Sequence, residues 1–339
     1  MAKVPLFELK QLIILFIQQT GFSSKESSLI AENFYEAEIS GKKSHGLGNL
    51  FWFKRTVTVK GSSGYEVNTK DEPITITKET PISLHVDGKG KTGYLVIREA
   101  LRLAFEKIKK SSVVLIGLHN TAPSTGYVGF WAKEATAKNL IYLSWNNSNG
   151  RDAPFGSAQK LYGTDPITVG IPTNDIPIIL DMATSEITVG QLMNYQRDKR
   201  ELPPKSAIDG KGNYTTDADI AWIEGALVPF GGYKGSGLMF IGEMLAGALT
   251  GSRVGYSVPG GWGTFIILFD PTIFRPLEDF KKNIDIAISE LKNSKKREGI
   301  TEIFYPGEKS QKIRRENIKK GYIEVDVNLI EKIKKEMGL

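Results

Sequence analysis

Between residues 141 and 185 the chain reads IYLSWNNSNGRDAPFGSAQKLYGTDPITVGIPTNDIPIILDMATS. Three β-branched, apolar runs, at 141–145, 167–171 and 178–180, alternate with clusters of Asn, Gly, Pro and Asp. Branched side chains suit a pleated surface, and the intervening residues supply the conformations that end a strand. The pattern therefore predicts strands joined by turns. Asn146, Asn147, Ser148, Thr164, Asp165 and Asp181 stand where those strands stop. Amides, hydroxyls and carboxylates held at the ends of rigid strands are what a small-molecule site requires. The same residue types also serve as plain loop formers.

Composition narrows the classes. With 339 residues, 40% hydrophobic and 24% charged, the chain has the balance of a globular protein with room for two domains. The early apolar run at 12–17 is far too short to span a bilayer, and no basic start with a cleavage site precedes it, so a cytoplasmic protein is expected. There is no cysteine, which excludes disulfides, thiolate nucleophiles and Cys-ligated zinc and fits a reducing or hot environment. Abundant Lys and Ile lean toward a thermophile. The net charge of +6 raises the possibility of nucleic acid. Its lysines are interleaved with glutamates on helical patterns, however, and read as solvated helix faces.

Taken in order, residues 7–18 carry a helical apolar pattern that Gly21 stops. Ser23 and Glu26 have capping-box spacing and open a second helix. Residues 40–53 read as a polar, glycine-bearing turn around His45, and residues 56–80 as an extended arm with a Gly-Ser-Ser-Gly turn. Gly88, Gly90 and Gly93 then spell G-x-G-x-x-G between a strand at 82–86 and a helix with Ile97, Leu101, Phe105 and Ile108 on one face. That is the outline of a Rossmann phosphate loop. Against it, the next strand, 113–118, ends in His119 and Asn120 rather than a ribose-binding acid, and Lys89 and Lys91 crowd the motif. A helix is predicted at 127–137, a polar surface excursion at 191–216, and a glycine-rich turn around Lys234 leading into a helix at 238–250. A buried strand at 264–269, a helix at 277–291 and two basic amphipathic helices complete the chain.

Three histidines bound the acid–base chemistry. His85 lies within a strand and reads as structural, and His119 ends one. His45, in Ser-His-Gly, is placed to present an imidazole to a pocket, and histidine titrates near neutrality. The alternative is a surface histidine in a turn. No His/Glu cluster has metal spacing, and no G-x-S-x-G elbow occurs.

Several blocks taken in order resemble the type-2 malate/L-lactate dehydrogenase family. They are SHG at 44–46, DGKGKTGY at 87–94, YGTDPITVGIPT at 162–173, LDMATS at 180–185, GALVPFGGYKGSGL at 225–238, LAGALTG at 245–251 and PGE at 306–308. The resemblance implies an α/β fold of non-Rossmann type. It would be a sandwich around a mixed β-sheet (76–289, binding the cofactor), with a helical domain built from both chain ends (1–75 with 290–339). It implies a homodimer, a nicotinamide cofactor (NAD or NADP) and a small 2-oxo or 2-hydroxy acid substrate, with no nucleic-acid or membrane partner. Carried over by position, His45 is expected as the proton donor beside Ser44. Asn147, Asp181, Met182, Tyr233, Lys234, Gly307 and Glu308 are expected on the cofactor side, and Asn49 and Ser124 on the substrate side.

Departures concentrate on the substrate side. Arginines common after SHG in the family give way to Asn49 and Trp52, and the second histidine to Ser124. Neither Asn nor Trp clamps a carboxylate bidentately. Lys54, Arg55 and Arg151 are the cations available to substitute. The substitutions leave room for a cyclic imino acid substrate, and a catalytically silent cofactor-binding paralogue is the alternative from another class.

Overall fold

A computed structural model describes residues 1–59 and 65–339. Strand β1 (Ala2–Pro5) leads into α1 (Leu6–Gln18), which buries Leu9, Ile13, Phe16 and Ile17 at helical spacing. The Ser23 hydroxyl accepts the Glu26 N–H at 3.2 Å and starts α2 (Ser24–Ile39), as the capping-box spacing predicts. The turn expected through residue 53 is shorter. A 3₁₀ turn at Leu47–Asn49 passes directly into α3 (Leu50–Thr58), because Leu50 and Phe53 supply a buried apolar stripe. Of the extended arm, residues 56–58 belong to that helix and the Gly-Ser-Ser-Gly turn lies outside the described residues; its strand is β2 (Thr75–Thr80).

Strand β3 (Ser83–Asp87) pairs antiparallel with β2. Helix α4 (Gly93–Ser111) then crosses to β4 (Val113–Thr121), which lies parallel to β3. Next come α5 (Gly129–Thr136), β5 (Ile141–Asn146), β6 (Ile167–Ile171) and β7 (Ile178–Met182), close to the expected strand limits. Helix α6 (Val189–Arg197), β8 (Ala207–Ile208), α7 (Ala218–Ile223) and β9 (Ala226–Leu227) form a small annex. Helix α8 (Tyr233–Gly242) continues into a π-helical turn at Glu243–Ala248, followed by β10 (Trp262–Phe269) and α9 (Leu277–Asn293). The chain ends with α10 (Glu308–Lys320), β11 (Tyr322–Val325) and α11 (Val327–Glu336).

Among the described residues one sheet of seven strands runs in the order β2-β3-β4-β10-β5-β6-β7. Only β3 and β4 pair in parallel, so the sheet is mixed. Late in sequence, β10 inserts between β4 and β5, with Phe265 opposite both Gly117 and Trp145. One core lies on the sheet and includes Val86, Ile97, Ile116, Trp131, Tyr142 and Ile266. A second joins Leu9, Phe34 and Phe53 to Ile323, Val325 and Ile333, drawing on both ends of the chain. The β1–β11 pairing ties those ends together.

The excursion expected at 191–216 is in part structured. It contributes Leu192, Leu202 and Ala207 to a third apolar cluster with Ala221 and Leu227. The glycine-rich turn at 229–238 is likewise mostly helix. It begins at Tyr233 because Gly235 has no side chain: a Cβ there would meet the Phe230 carbonyl oxygen at 2.3 Å.

G-x-G-x-x-G is a packing device in this fold. Gly90 has φ of +72°, and a Cβ on Gly93 would meet the Ser124 carbonyl oxygen at 2.9 Å. Lys91, between them, is buried and bonds Glu26 Oε1 at 2.7 Å and the Lys70 carbonyl at 2.5 Å. A loop whose lysine turns inward onto an α2 carboxylate joins helix to sheet rather than cradling phosphate. Removing one partner of a buried pair leaves an unpaired charge and typically costs about 3–5 kcal/mol. Lys91→Met should destabilise the protein on that scale, and Lys91→Met with Glu26→Gln should recover most of the loss, read by urea unfolding. A double variant no more stable than the single one would contradict this account.

Candidate active site

The turn that carries His45 is held by a carboxylate. Glu38, near the end of α2, is buried, and its Oε2 accepts the Leu47 N–H at 2.8 Å. A Cβ on Gly46 would lie 2.0 Å from that same Oε2. The residue after His45 therefore has to be glycine for the turn to close on Glu38. Ser44 Oγ lies 2.9 Å from His45 Nδ1 and fixes the ring, leaving Nε2 without a protein partner among the described residues. From the far side α6 approaches so closely that a Cβ on Gly190 would meet Ser44 Cβ at 3.1 Å. Each residue of Ser-His-Gly thus has a separate task.

Asp181 comes from the end of β7, and its Oδ2 accepts the Gly129 N–H at 3.1 Å, at the start of α5. The PGE segment supports that strand. The Ile179 N–H donates to the Pro306 carbonyl at 3.0 Å, and Gly307, with φ of +86°, packs where a Cβ would meet the Ile179 carbonyl at 2.9 Å. Burial is the largest influence on both His45 and Asp181. It pulls the imidazole below its ordinary value against the opposing field of Asp181, and it raises the Asp181 carboxyl against the fields of His45 and Lys42. At neutral pH the resting imidazole is uncharged.

His45 and Asp181 share a cavity of about 810 Å³. Its wall also includes Ser44, Asn49, Ser124, Asn147 and Met182 of the expected residues, together with Asn146, Ser148 and Thr164 from the strand ends. The remaining expected residues lie elsewhere. Tyr233 and Lys234 are exposed in the first turn of α8, and neither lines this cavity. Gly307 and Glu308 start α10, where the Glu308 carboxylate pairs with Lys292 and with Lys312, so this segment braces β7 from outside. Asn147 is placed as expected but is engaged internally: Nδ2 donates to the Arg253 carbonyl at 2.8 Å and Oδ1 accepts the Gly263 N–H at 2.7 Å. Residue-by-residue reading missed Gln191 and Met193 from α6 and the two indoles Trp222 and Trp262. Trp222 lies between Ala221 and Ile223 and Trp262 between two glycines, so nothing adjacent in sequence marked either for the site.

One buried amide at the wall is left unpaired. Asn146 Oδ1 accepts from Thr264 Oγ1 at 2.8 Å, whereas its buried Nδ2 has no partner among the described residues. A cavity of this size, lined by both polar and apolar groups, suits a small organic ligand. Among the described residues no cluster of His, Cys, Asp and Glu is arranged to hold a metal.

Comparison with known proteins identifies the family. A family model described as malate/L-lactate dehydrogenase matches residues 4–334. The chain belongs to that family. It is 33% identical over 341 residues to the L-sulfolactate dehydrogenase of Methanocaldococcus jannaschii, covering 97% of this chain and 96% of the relative. With the malate/(S)-sulfolactate dehydrogenase of Methanothermus fervidus it shares 30% identity over 338 residues, covering 96% and 95%. The solved structure of malate dehydrogenase from Pyrococcus horikoshii superposes with a TM-score of 0.87 at 28% identity, covering 100% of this chain and 96% of that one. The mixed sheet is therefore the malate/L-lactate dehydrogenase fold, not a Rossmann fold, and family membership makes the chain an oxidoreductase of the hydroxy-acid dehydrogenase class.

Beneath the cavity, between Thr164 and Pro166, Asp165 is fully buried with φ of +29°. Neither carboxyl oxygen has a well-formed hydrogen bond among the described residues, and the adjoining group is the Glu243 carboxyl. Burial and that neighbour push Asp165 well above the usual carboxylate range. The folded state then keeps a proton that the unfolded chain releases, so the contribution is present at low pH and lost as pH rises through the folded-state value. Asp165→Asn keeps a neutral group and a residue tolerant of positive φ. Its Tm relative to wild type should rise between pH 5 and pH 8; a difference that falls over that range would contradict the assignment.

Proposed function

We propose that the chain is a nicotinamide-dependent oxidoreductase that moves a hydride between the cofactor and the C2 carbon of a small 2-oxo or 2-hydroxy acid. His45 handles the proton. The observation that carries this reading is the enclosed imidazole: Ser44 holds Nδ1, Nε2 is left open, and Asp181 lines the same cavity within reach of its field. The relatives named as malate and sulfolactate dehydrogenases support a 2-oxo acid as the substrate class.

When bound, reduced NAD or NADP supplies the hydride. This chain's residues do the rest. Met182 and Asp181 line the cavity with His45. In the reducing direction protonated His45 gives the Nε2 proton to the oxygen that was the carbonyl, while Ser44 Oγ accepts Nδ1–H. In the oxidising direction neutral His45 takes the hydroxyl proton. Asp181 steadies the imidazolium that exists between these events. An anionic substrate strengthens that effect, because it adds negative charge where the imidazole is poorly solvated.

The reading extends to the assembly. We propose residues 1–75 with 290–339 as a helical domain, 76–289 as the cofactor-binding domain, and a homodimer as the working unit. Leu238, Phe240, Ile241 and Leu249 lie exposed on α8 and the turn after it, an apolar surface that suits a second copy.

Proton transfer of this kind contributes roughly 100- to 10,000-fold. His45→Ala should lower oxaloacetate, pyruvate or sulfopyruvate reduction by about that factor while NADH or NADPH binding, followed by fluorescence, is retained. Asp181→Asn removes the field that raises the His45 value, so the pH at which reduction falls off should move lower. An unchanged rate in His45→Ala would overturn the reading. So would a profile moved to higher pH in Asp181→Asn.

A further inference from the structure

Arg151 lines the same cavity as His45, and its guanidinium has no hydrogen-bond or carboxylate partner among the described residues. Other arginines nearby are engaged. Arg253 donates to the Ser148 and Gly255 carbonyls, and Arg314 pairs with Glu36 at 2.6 Å. Asp152, next in sequence, does not serve Arg151. Its carboxyl is fully buried, has no partner, and is shifted by burial alone.

The side chain is nonetheless held in place. Its guanidinium carbon lies 4.0 Å from the centre of the Trp222 ring. That is a close cation–π contact, and it leaves the guanidinium without a hydrogen-bond acceptor among the described residues. Trp222 is itself pinned, because Lys160 Nζ donates to the Trp222 and Ile223 carbonyls at 3.1 and 3.2 Å. The Arg151 backbone is fixed on both sides: its N–H donates to Tyr162 and its carbonyl accepts from Leu227, at 2.7 and 2.9 Å.

A planar, always-charged fork held rigid with its edge uncommitted is matched to a carboxylate, which it binds through two parallel hydrogen bonds. The three cations substitutable for the missing arginines are separated by their positions. Lys54 pairs with Glu336 at 3.1 Å, and neither Lys54 nor Arg55 lines the cavity. Arg151 does. The carboxylates in the wall are Asp181, beside His45, and Glu186, and Arg151 is bonded to neither.

We propose that Arg151, held against Trp222, is the anchor for the acid group of the substrate and sets the preference for an anionic one. The proposal rests on the oxidoreductase reading above but has its own test. The anion could also belong to the cofactor, whose phosphates are equally suited to a guanidinium, so the experiment separates the two.

Wild type, Arg151→Lys and Arg151→Met are compared by calorimetric titration with oxalate in the presence of NADH or NADPH, and by cofactor fluorescence without oxalate. Arg151→Met should weaken oxalate binding about 10- to 100-fold, as expected for loss of charge-assisted hydrogen bonds. Arg151→Lys should recover only part of it, with cofactor affinity unchanged in both. Where the wild type turns over a 2-oxo acid, KM should rise in the same order and kcat change less. Unchanged oxalate affinity in Arg151→Met would overturn the proposal. So would weakened cofactor binding with oxalate unaffected, or a change in oligomer size on a sizing column with oxalate affinity retained. If the wild type binds oxalate but reduces no 2-oxo acid, the oxidoreductase reading fails while the anchor is still decided by the titration.

Discussion

An imidazole and a carboxylate are enclosed together here, brought from elements far apart in the chain, and the surrounding fold is built to hold them there. His45 sits in the turn between α2 and α3, and Asp181 at the end of β7. In water the pair would ionise readily. Inside the protein burial works against both charges, so the imidazole rests neutral and the carboxyl value rises. The supports are specific: Glu38 under Leu47, Ser44 on the ring, the first N–H of α5 on Asp181, and the PGE segment behind β7. Each is a short contact to backbone or to a small side chain. Together they keep two partly desolvated groups from collapsing onto each other or opening to solvent.

The sheet was readable because strand alternation and turn residues carry the signal locally. Strand β6 falls on the residues expected of it, and β5 and β7 extend only slightly beyond. Ser23 and Glu26 likewise marked the start of α2 from spacing alone. What could not be read locally was the partner of each residue. G-x-G-x-x-G looks like a phosphate loop until Lys91 is seen facing Glu26, a contact made across 65 residues. Helix α8 begins five residues before the sequence pattern suggests, because glycines in a helix look like a turn until the crowding against Phe230 is known.

The site divides along similar lines. Residues next to one another in a motif, such as Ser44 and His45 or Asp181 and Met182, were found together in the cavity wall. Tyr233, Lys234, Gly307 and Glu308, in equally clear motifs, stand outside it, and one of these, Gly307, packs on the strand that carries Asp181. Where the sequence departs from the family, at Asn49, Trp52 and Ser124, the wall has no arginine from the SHG segment. A guanidinium enters instead from the β5–β6 connection, on an indole supplied by the annex. Two distant segments make that arrangement, which is why it was only one of three options in sequence.

The most direct measurement is the titration of the His45 ring by NMR, which three histidines make practical, with His45→Gln to assign its signal. The account predicts that His45 in the free protein titrates below its ordinary value of about 6.5, and that it moves upward when oxalate and reduced cofactor are bound. A free-protein value at or above the ordinary one, or no movement with both ligands present, would contradict an imidazole kept neutral by burial and charged by its substrate.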